Sequence, residues 1–298
     1  MEKSVVKHEL SFAQFDPAHC LTPGLFRSLR PSERAETELD VNNRSTNSKR
    51  FVRFVGKELL DGTDMRVLQG LVAMAGLSGM VLSSVPKTEV GRTLRGLLEI
   101  ANEPNEKKAV VVEMSLNKLR KELGYASDSK ATTDQLKKCI QRMADVVIFL
   151  GEGATKFSFR MLSYIFSGER GNFQVALNPL LAETILGRKR KFAFISMVET
   201  RQLRSERARL LHHRLSGWVG GRTTKGRVSI DVLSSYIWPD DTTEVDAKRK
   251  RRERVRAALE ELKELKEVKE VKEVGWCIVE DANQKDMFII KRPPQEAA

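Results

Sequence analysis

The 298-residue chain carries 52 Lys+Arg against 40 Asp+Glu, a formal net charge of +12, with 41% hydrophobic and 31% charged residues. This balance is too apolar for a disordered chain and too polar for a membrane protein. No apolar run is long enough for a bilayer span or, near the start, for a signal peptide, so a cytoplasmic protein without a membrane partner is expected. Cys20, Cys139 and Cys277 are odd in number and far apart, which excludes a disulfide framework or a CxxC zinc site and fits a reducing compartment, while the cationic excess favours polyanionic partners.

Residues 1–50 show little periodicity, and the stretches LTPGLFRSLRPSER and TELDVNNRSTNSKR read as a partly irregular N-terminal arm. Asp64 is expected to cap a helix with Val67, Leu68, Leu71, Val72 and Ala75 as its apolar stripe and Gly76 as its stop. MVLSSV (80–85) suits a short strand, 88–100 a helical piece, and the β-branched run AVVVEM (109–114) a strand. Ser115 then caps a short helix carrying Leu116, Leu119 and Leu123 that ends at Gly124. Thr132 and Gln135 suit a capping box for a helix with Leu136, Ile140 and Met143 on one face. VVIFL (146–150) and KFSFRMLSYIF (156–166) follow as a two-stranded ribbon, giving the order of a winged helix-turn-helix.

SGERGN (167–172) reads as a domain boundary, after which the order returns. Strands FQVALN and KFAFISM flank a helix at PLLAETILG, and one long helix is expected over 199–219. A short strand RVSI, a Ser229-capped helix stopped by Pro239, a basic helix from about 246 and a strand–turn–strand complete the chain. Ser115, Leu119 and Leu123 match Ser229, Leu233 and Ile237 in spacing, which suggests an internal duplication. The expected fold class is therefore α+β, with an arm over 1–50 and tandem winged-helix domains over 51–168 and 169–298.

The charge is concentrated. Residues 248–256, KRKRRERVR, hold seven basic side chains at the start of the second unit's second helix, whose apolar stripe is Val255, Ala258, Leu259 and Leu262. Cations there oppose the helix dipole, a cost that a phosphate partner offsets. In a helix-turn-helix this segment enters the major groove. Lys248, Arg249, Lys250, Arg252 and Arg256 are therefore candidate DNA contacts. The corresponding helix of the first unit offers Lys130, Thr133, Lys137, Lys138, Gln141 and Arg142, where Gln can pair with adenine and Lys with guanine. Lys156 and Lys285 in the two hairpins add phosphate contacts. For any one of these residues, an ordinary solvated face remains the competing reading.

Catalytic signatures are missing from the sequence. There is no GxxxxGK[ST] and no HExxH; Asp16, His19 and Cys20 lack a fourth metal ligand; and Tyr125, Tyr164 and Tyr236 have no relaxase-like His pair nearby. No cofactor, metal or enzymatic activity is expected. Trp218, Trp238 and Trp276 fall on apolar faces, which speaks for core positions over base-stacking platforms.

The blocks DPAHCLTPGLFRSL (16–29), LQGLVAMAG (68–76), ALNPL (176–180), ARLLHHRLSGW (208–218), YIWP (236–239) and KRRERVRAAL (250–259) resemble the RepC-type replication initiators of IncQ-like broad-host-range plasmids. The resemblance runs from about residue 8 to 292. It implies tandem winged-helix domains that bind directly repeated origin sequences (iterons) in duplex DNA and promote opening of an adjacent AT-rich region. A plasmid-encoded replicative helicase and a primase would load there, with the initiator itself no enzyme. It also places the DNA-reading helices at 132–144 and 246–258. Whether a homodimer forms stays open, and a winged-helix repressor acting on a plasmid promoter is the rival reading. One departure is the insertion KELKEVKEVKEV (263–274), whose period-3 apolar positions cannot share a helix face and are expected to form a solvated helical extension.

Overall fold

The computed structural model describes residues 8–30, 32–44, 50–100, 108–152, 155–167, 171–187, 192–219, 225–240, 242–265, 267–269 and 272–292. The fold is mixed α+β. Its first elements are β1 (Phe12–Phe15), α1 (Pro17–Leu21), α2 (Glu33–Glu36), β2 (Leu39–Arg44), β3 (Arg50–Gly56), α3 (Gly62–Ser78), β4 (Met80–Leu82) and α4 (Glu89–Leu97). The middle comprises β5 (Ala109–Ser115), α5 (Leu116–Glu122), α6 (Lys130–Ala144), β6 (Val147–Glu152), β7 (Thr155–Arg160), β8 (Leu162–Phe166), β9 (Asn172–Leu177) and α7 (Pro179–Ile185). Then come β10 (Ala193–Ser196), α8 (Met197–Gln202), α9 (Glu206–Trp218), β11 (Lys225–Ser229), α10 (Ile230–Ile237), α11 (Val245–Lys263), β12 (Glu267–Lys269), β13 (Lys272–Val274), β14 (Cys277–Glu280) and β15 (Met287–Lys291).

The described part of the N-terminal segment carries regular elements. Alternation in FAQF turns Ala13 and Phe15 inward, and β1 pairs antiparallel with β10, Phe12 lying opposite Ser196. Asp16 caps α1 and is fully buried, with Arg50 3.1 Å from its carboxylate. β2 pairs with β3, so residues 39–44 belong to a sheet.

Helix α3 runs through the middle and packs on β1, β5, α6 and α9. Its cap is Asp61, not Asp64. Asp64 is the reciprocal partner of a capping box, and the helix passes Gly76 to end at Gly79. Ser115 and Ser229 do cap α5 and α10, and Leu119, Leu123, Leu233 and Ile237 are all buried. Gly124, at φ +74, provides the left-handed residue that turns the chain after α5. The first unit's second helix begins one turn earlier than Thr132 suggests, capped by Ser129 through the Thr132 amide. The long helix expected over 199–219 is broken, because Ser205 opens α9 afresh.

Three sheets position the candidate site, with strand orders β2-β3-β6-β7, β4-β5-β9-β8 and β11-β15-β14. The last is the order a winged helix-turn-helix requires, since the strand before α10 pairs with the far strand of the β14–β15 hairpin. The first unit departs from it. Its β6–β7 hairpin joins β3, whereas the strand before α5 pairs with β9 and β4. The segment 156–166 is accordingly two strands in two sheets rather than one arm of a ribbon. The boundary expected at 168–169 falls inside the β8–β9 pairing, and one core cluster joins Phe15, Leu71, Phe173, Leu215 and Leu259. Within the Lys-Glu-Val insertion, residues 267–269 and 272–274 are strands rather than the expected helical extension. After α11, β12 and β13 pair with Glu267 opposite Val274, in keeping with the strand preference of valine.

Candidate nucleic-acid interface

Helix α6 buries Leu136, Cys139, Ile140 and Met143. At about 100° per residue, the opposite face carries Lys130, Asp134, Lys137, Lys138 and Gln141. Lys130, Lys138 and Gln141 are exposed, while Lys137 is half-buried with its Nζ 5.9 Å from the Phe166 ring. Thr133 is half-buried and donates its hydroxyl to the Ser129 carbonyl at 3.4 Å. Arg142 turns the other way. Its Nη2 lies 2.7 Å from Oδ1 of Asp64, a side chain of 0% exposure, so the guanidinium is a bolt between α6 and α3. Burial raises the Asp64 carboxyl above the usual carboxylate range, against the opposing pull of Arg142.

Helix α11 buries Val255, Ala258, Leu259 and Leu262, as its stripe requires. Its basic residues divide into three groups. Arg252 is held by both carboxylate oxygens of Asp231 at the start of α10, at 2.8 and 2.7 Å. Arg256 contacts Asp286, approaches Glu280 at 3.4 Å, and lies over the Phe288 ring, so it fastens the wing to the helix. Both hold Asp and Glu side chains that sequence patterning did not single out. Arg251 donates to the Asp240 carbonyl at 2.7 Å and lies over the Trp238 ring. Arg249 is exposed between Asp246 and Glu253, each at 3.3 Å. Lys248, Lys250 and Arg254 are exposed, as are Lys285 between β14 and β15 and Lys156 on β7. Arg254, absent from the sequence-derived set, is distinguishable only by its flank position about 100° from Glu253.

The exposed cations of this set thus sit on two helices, each the second of a helix pair, and on the hairpins that follow them. The pair Asp231–Arg252 holds the Asp231 carboxyl below its ordinary range through the charged hydrogen bond. The buried histidines serve the interior. His213 accepts at Nδ1 from the Gln69 Nε2 amide at 3.0 Å, and burial pushes its pKa down to about 3, so it is neutral. His212 lies 2.6 Å from Glu199, beneath Trp276. Both are buried and held in polar contacts. Burial raises the Cys20 and Cys139 thiols. Among the described residues no group of three or more His, Cys, Asp or Glu side chains is placed to hold a metal, and no helix is long and apolar enough to cross a membrane.

The family model of Replication protein C (RepC) matches residues 7–294, nearly the whole chain. The chain belongs to the RepC family of replication initiators. In fold, this RepC chain is similar to a crystal structure of selenomethionine derivatives of domains 2 and 3 of RctB. The TM-score is 0.52 and the identity 11%, over 92% of this chain and 97% of that one. A second crystal structure of RctB domains 2–3 gives a TM-score of 0.49 at 12% identity over 92% and 95%. The Pi initiator protein in complex with iteron DNA gives 0.43 at 16% identity over 62% and 82%. No curated protein sequence matches the chain.

Proposed function

We propose that this RepC-family chain binds directly repeated origin sequences (iterons) as duplex DNA and thereby promotes opening of an adjacent AT-rich segment, onto which a plasmid-encoded helicase and primase are loaded. The two helix-turn-helix units act as winged-helix modules: α6 and α11 enter successive major grooves, and the hairpins carrying Lys156 and Lys285 lie along the backbone. The observation that carries this reading is the outward face of both second helices, with Lys130, Lys138 and Gln141 on one and Arg249, Lys250 and Arg254 on the other, in a chain of the RepC family. Lys137, Lys248 and Thr133 flank these faces, while Arg252 and Arg256 act by fixing the second wing.

Phosphate contacts would supply affinity and base contacts the register. Each phosphate contact adds about 0.9 to the slope of log affinity against log salt. A gel-shift titration with the plasmid's own repeats and a scrambled duplex, at two salt concentrations, tests the reading. Preferential binding of the repeats with a steep salt dependence is expected, and equal affinity for both duplexes refutes it.

A further inference from the structure

Helices α6 and α11 are each anchored by a residue near the C-terminal end, Arg142 on α6 and Glu261 on α11. Arg142 reaches Asp64 in the first turn of α3 at 2.7 Å. Glu261 accepts the backbone amides of Arg204 and Ser205 at the start of α9, the second at 3.0 Å. A third carboxylate joins α3 to α9. Glu206, the first residue of α9, accepts from the Gly62 amide at 3.2 Å and from the Ser28 hydroxyl at 2.9 Å, and Gly62 is the first residue of α3. A polar path therefore runs from α6 through α3 and α9 to α11.

The chemistry of helix starts gives this path its stiffness. The first amides of a helix lack partners within it. Asp61 serves those of Thr63 and Asp64, and Ser205 serves that of Ala208. The Gly62, Arg204 and Ser205 amides are served instead by the next helix along the path. Apolar packing is non-directional and lets one helix slide or turn against another. A carboxylate bonded to a helix start is directional and fixes both movements. The approach is close, since a Cβ at Gly62 would lie 2.6 Å from the Glu206 Cγ.

We propose that Glu206 and Glu261 are positioning residues that set the separation of α6 and α11 and so make the chain selective for the length of the repeat it reads. The proposal rests on the duplex-binding role assigned to both helices. Two helices on one frame meet successive major grooves at one spacing. One added base pair moves the far groove by about 3.4 Å along the duplex and turns it by about 34°. A frame that does not follow loses the base contacts of one helix, whereas two units free to swivel retain both.

Binding of the full chain to three duplexes tests this: the plasmid's own repeat, that repeat lengthened by one central base pair, and a scrambled sequence. The wild type should favour the native repeat over the lengthened one by about tenfold or more, the worth of roughly one base contact. Glu206→Ala combined with Glu261→Ala should bring that ratio within about threefold. Both duplexes meet the same folded fraction, so lost stability alone leaves the ratio unchanged. A second readout needs no DNA. In a Cys277→Ser background, spin labels at Gln135→Cys and Ala257→Cys, exposed on α6 and α11, should report one narrow distance that the alanine pair broadens; Cys20 and Cys139 are buried. Gly62→Ala displaces Glu206 without removing a charge; it should move both readouts the same way and replaces the alanine pair if that pair does not fold. A wild type that binds both lengths alike, or a folded variant that keeps either the ratio or the narrow distance, overturns the proposal and leaves the iteron reading standing. Equal binding of repeat and scrambled duplexes by the wild type refutes the iteron reading and this proposal with it.

Discussion

Replacing Arg142 with Ala separates a structural bolt from a DNA contact. The change removes the guanidinium that lies 2.7 Å from a carboxylate of 0% exposure, itself 13% exposed. Removing one member of a buried ion pair costs about 3–5 kcal/mol, because the other charge stays buried. Asp64 retains the Asp61 amide at 3.0 Å and Arg34 at 3.7 Å, which places the loss near the lower end. At about 3 kcal/mol the melting temperature should fall by roughly 6–12 °C for a chain of this size. The loss should also depend on pH. Burial already raises the folded-state pKa of Asp64, and without Arg142 it rises further. An acid whose folded pKa is raised contributes stability below its unfolded pKa and loses it as pH rises through the folded value. The gap between wild type and variant is therefore smaller at about pH 5 than at about pH 7.5. Calorimetric melts at both values, with duplex binding measured below the variant's transition, provide the assay. A variant that melts with the wild type yet loses repeat binding would refute the reasoning and return Arg142 to the groove.

Two further substitutions probe the second unit. Arg292 is 3% exposed, reaches Glu199 at 3.1 Å and the Phe194 carbonyl at 2.8 Å, and covers the Trp276 ring. Arg292→Ala should lower stability by about 3 kcal/mol in urea denaturation. Burial disfavours the Glu199 carboxylate, but His212 and Arg292 together hold its pKa below the ordinary range. That contribution is present above the unfolded carboxylate pKa and lost as pH falls through the folded one, so the variant should also unfold at a higher pH on acidification. Arg256→Ala should loosen the wing, seen as faster amide exchange over 281–286, while Lys250→Ala with Arg249→Ala weakens repeat binding without that change; the reverse pattern would exchange the two roles.

Local signals were readable wherever a single segment decides its own state. The Ser115 and Ser229 caps, the stop at Gly124, the β-branched strand at 109–115 and the apolar stripe of α11 all depend on neighbours within a turn or two. What the pattern does not contain is partner choice. The ribbon at 147–160 is visible as two strands, but its attachment to β3 depends on residues about a hundred positions earlier. The expected boundary at 167–172 is polar, and the strands on either side of it, β8 and β9, pair with each other. Arg142 and Arg256 stand at the flanks of their helices, where a wheel cannot distinguish solvent from a carboxylate on another element.

The pairing of β1 with β10 also sets an order for assembly. Phe12 has its backbone partner at Ser196, so β1 stays unmatched until the chain has been made as far as β10. Closing so long a loop costs entropy before any contact repays it, and it slows folding. The segment holding β1 waits meanwhile with Phe15 and Asp16, both buried in the fold, exposed to solvent and open to aggregation. A truncation that ends before Ser196 strands that segment permanently, so a first half expressed alone lacks part of its own core.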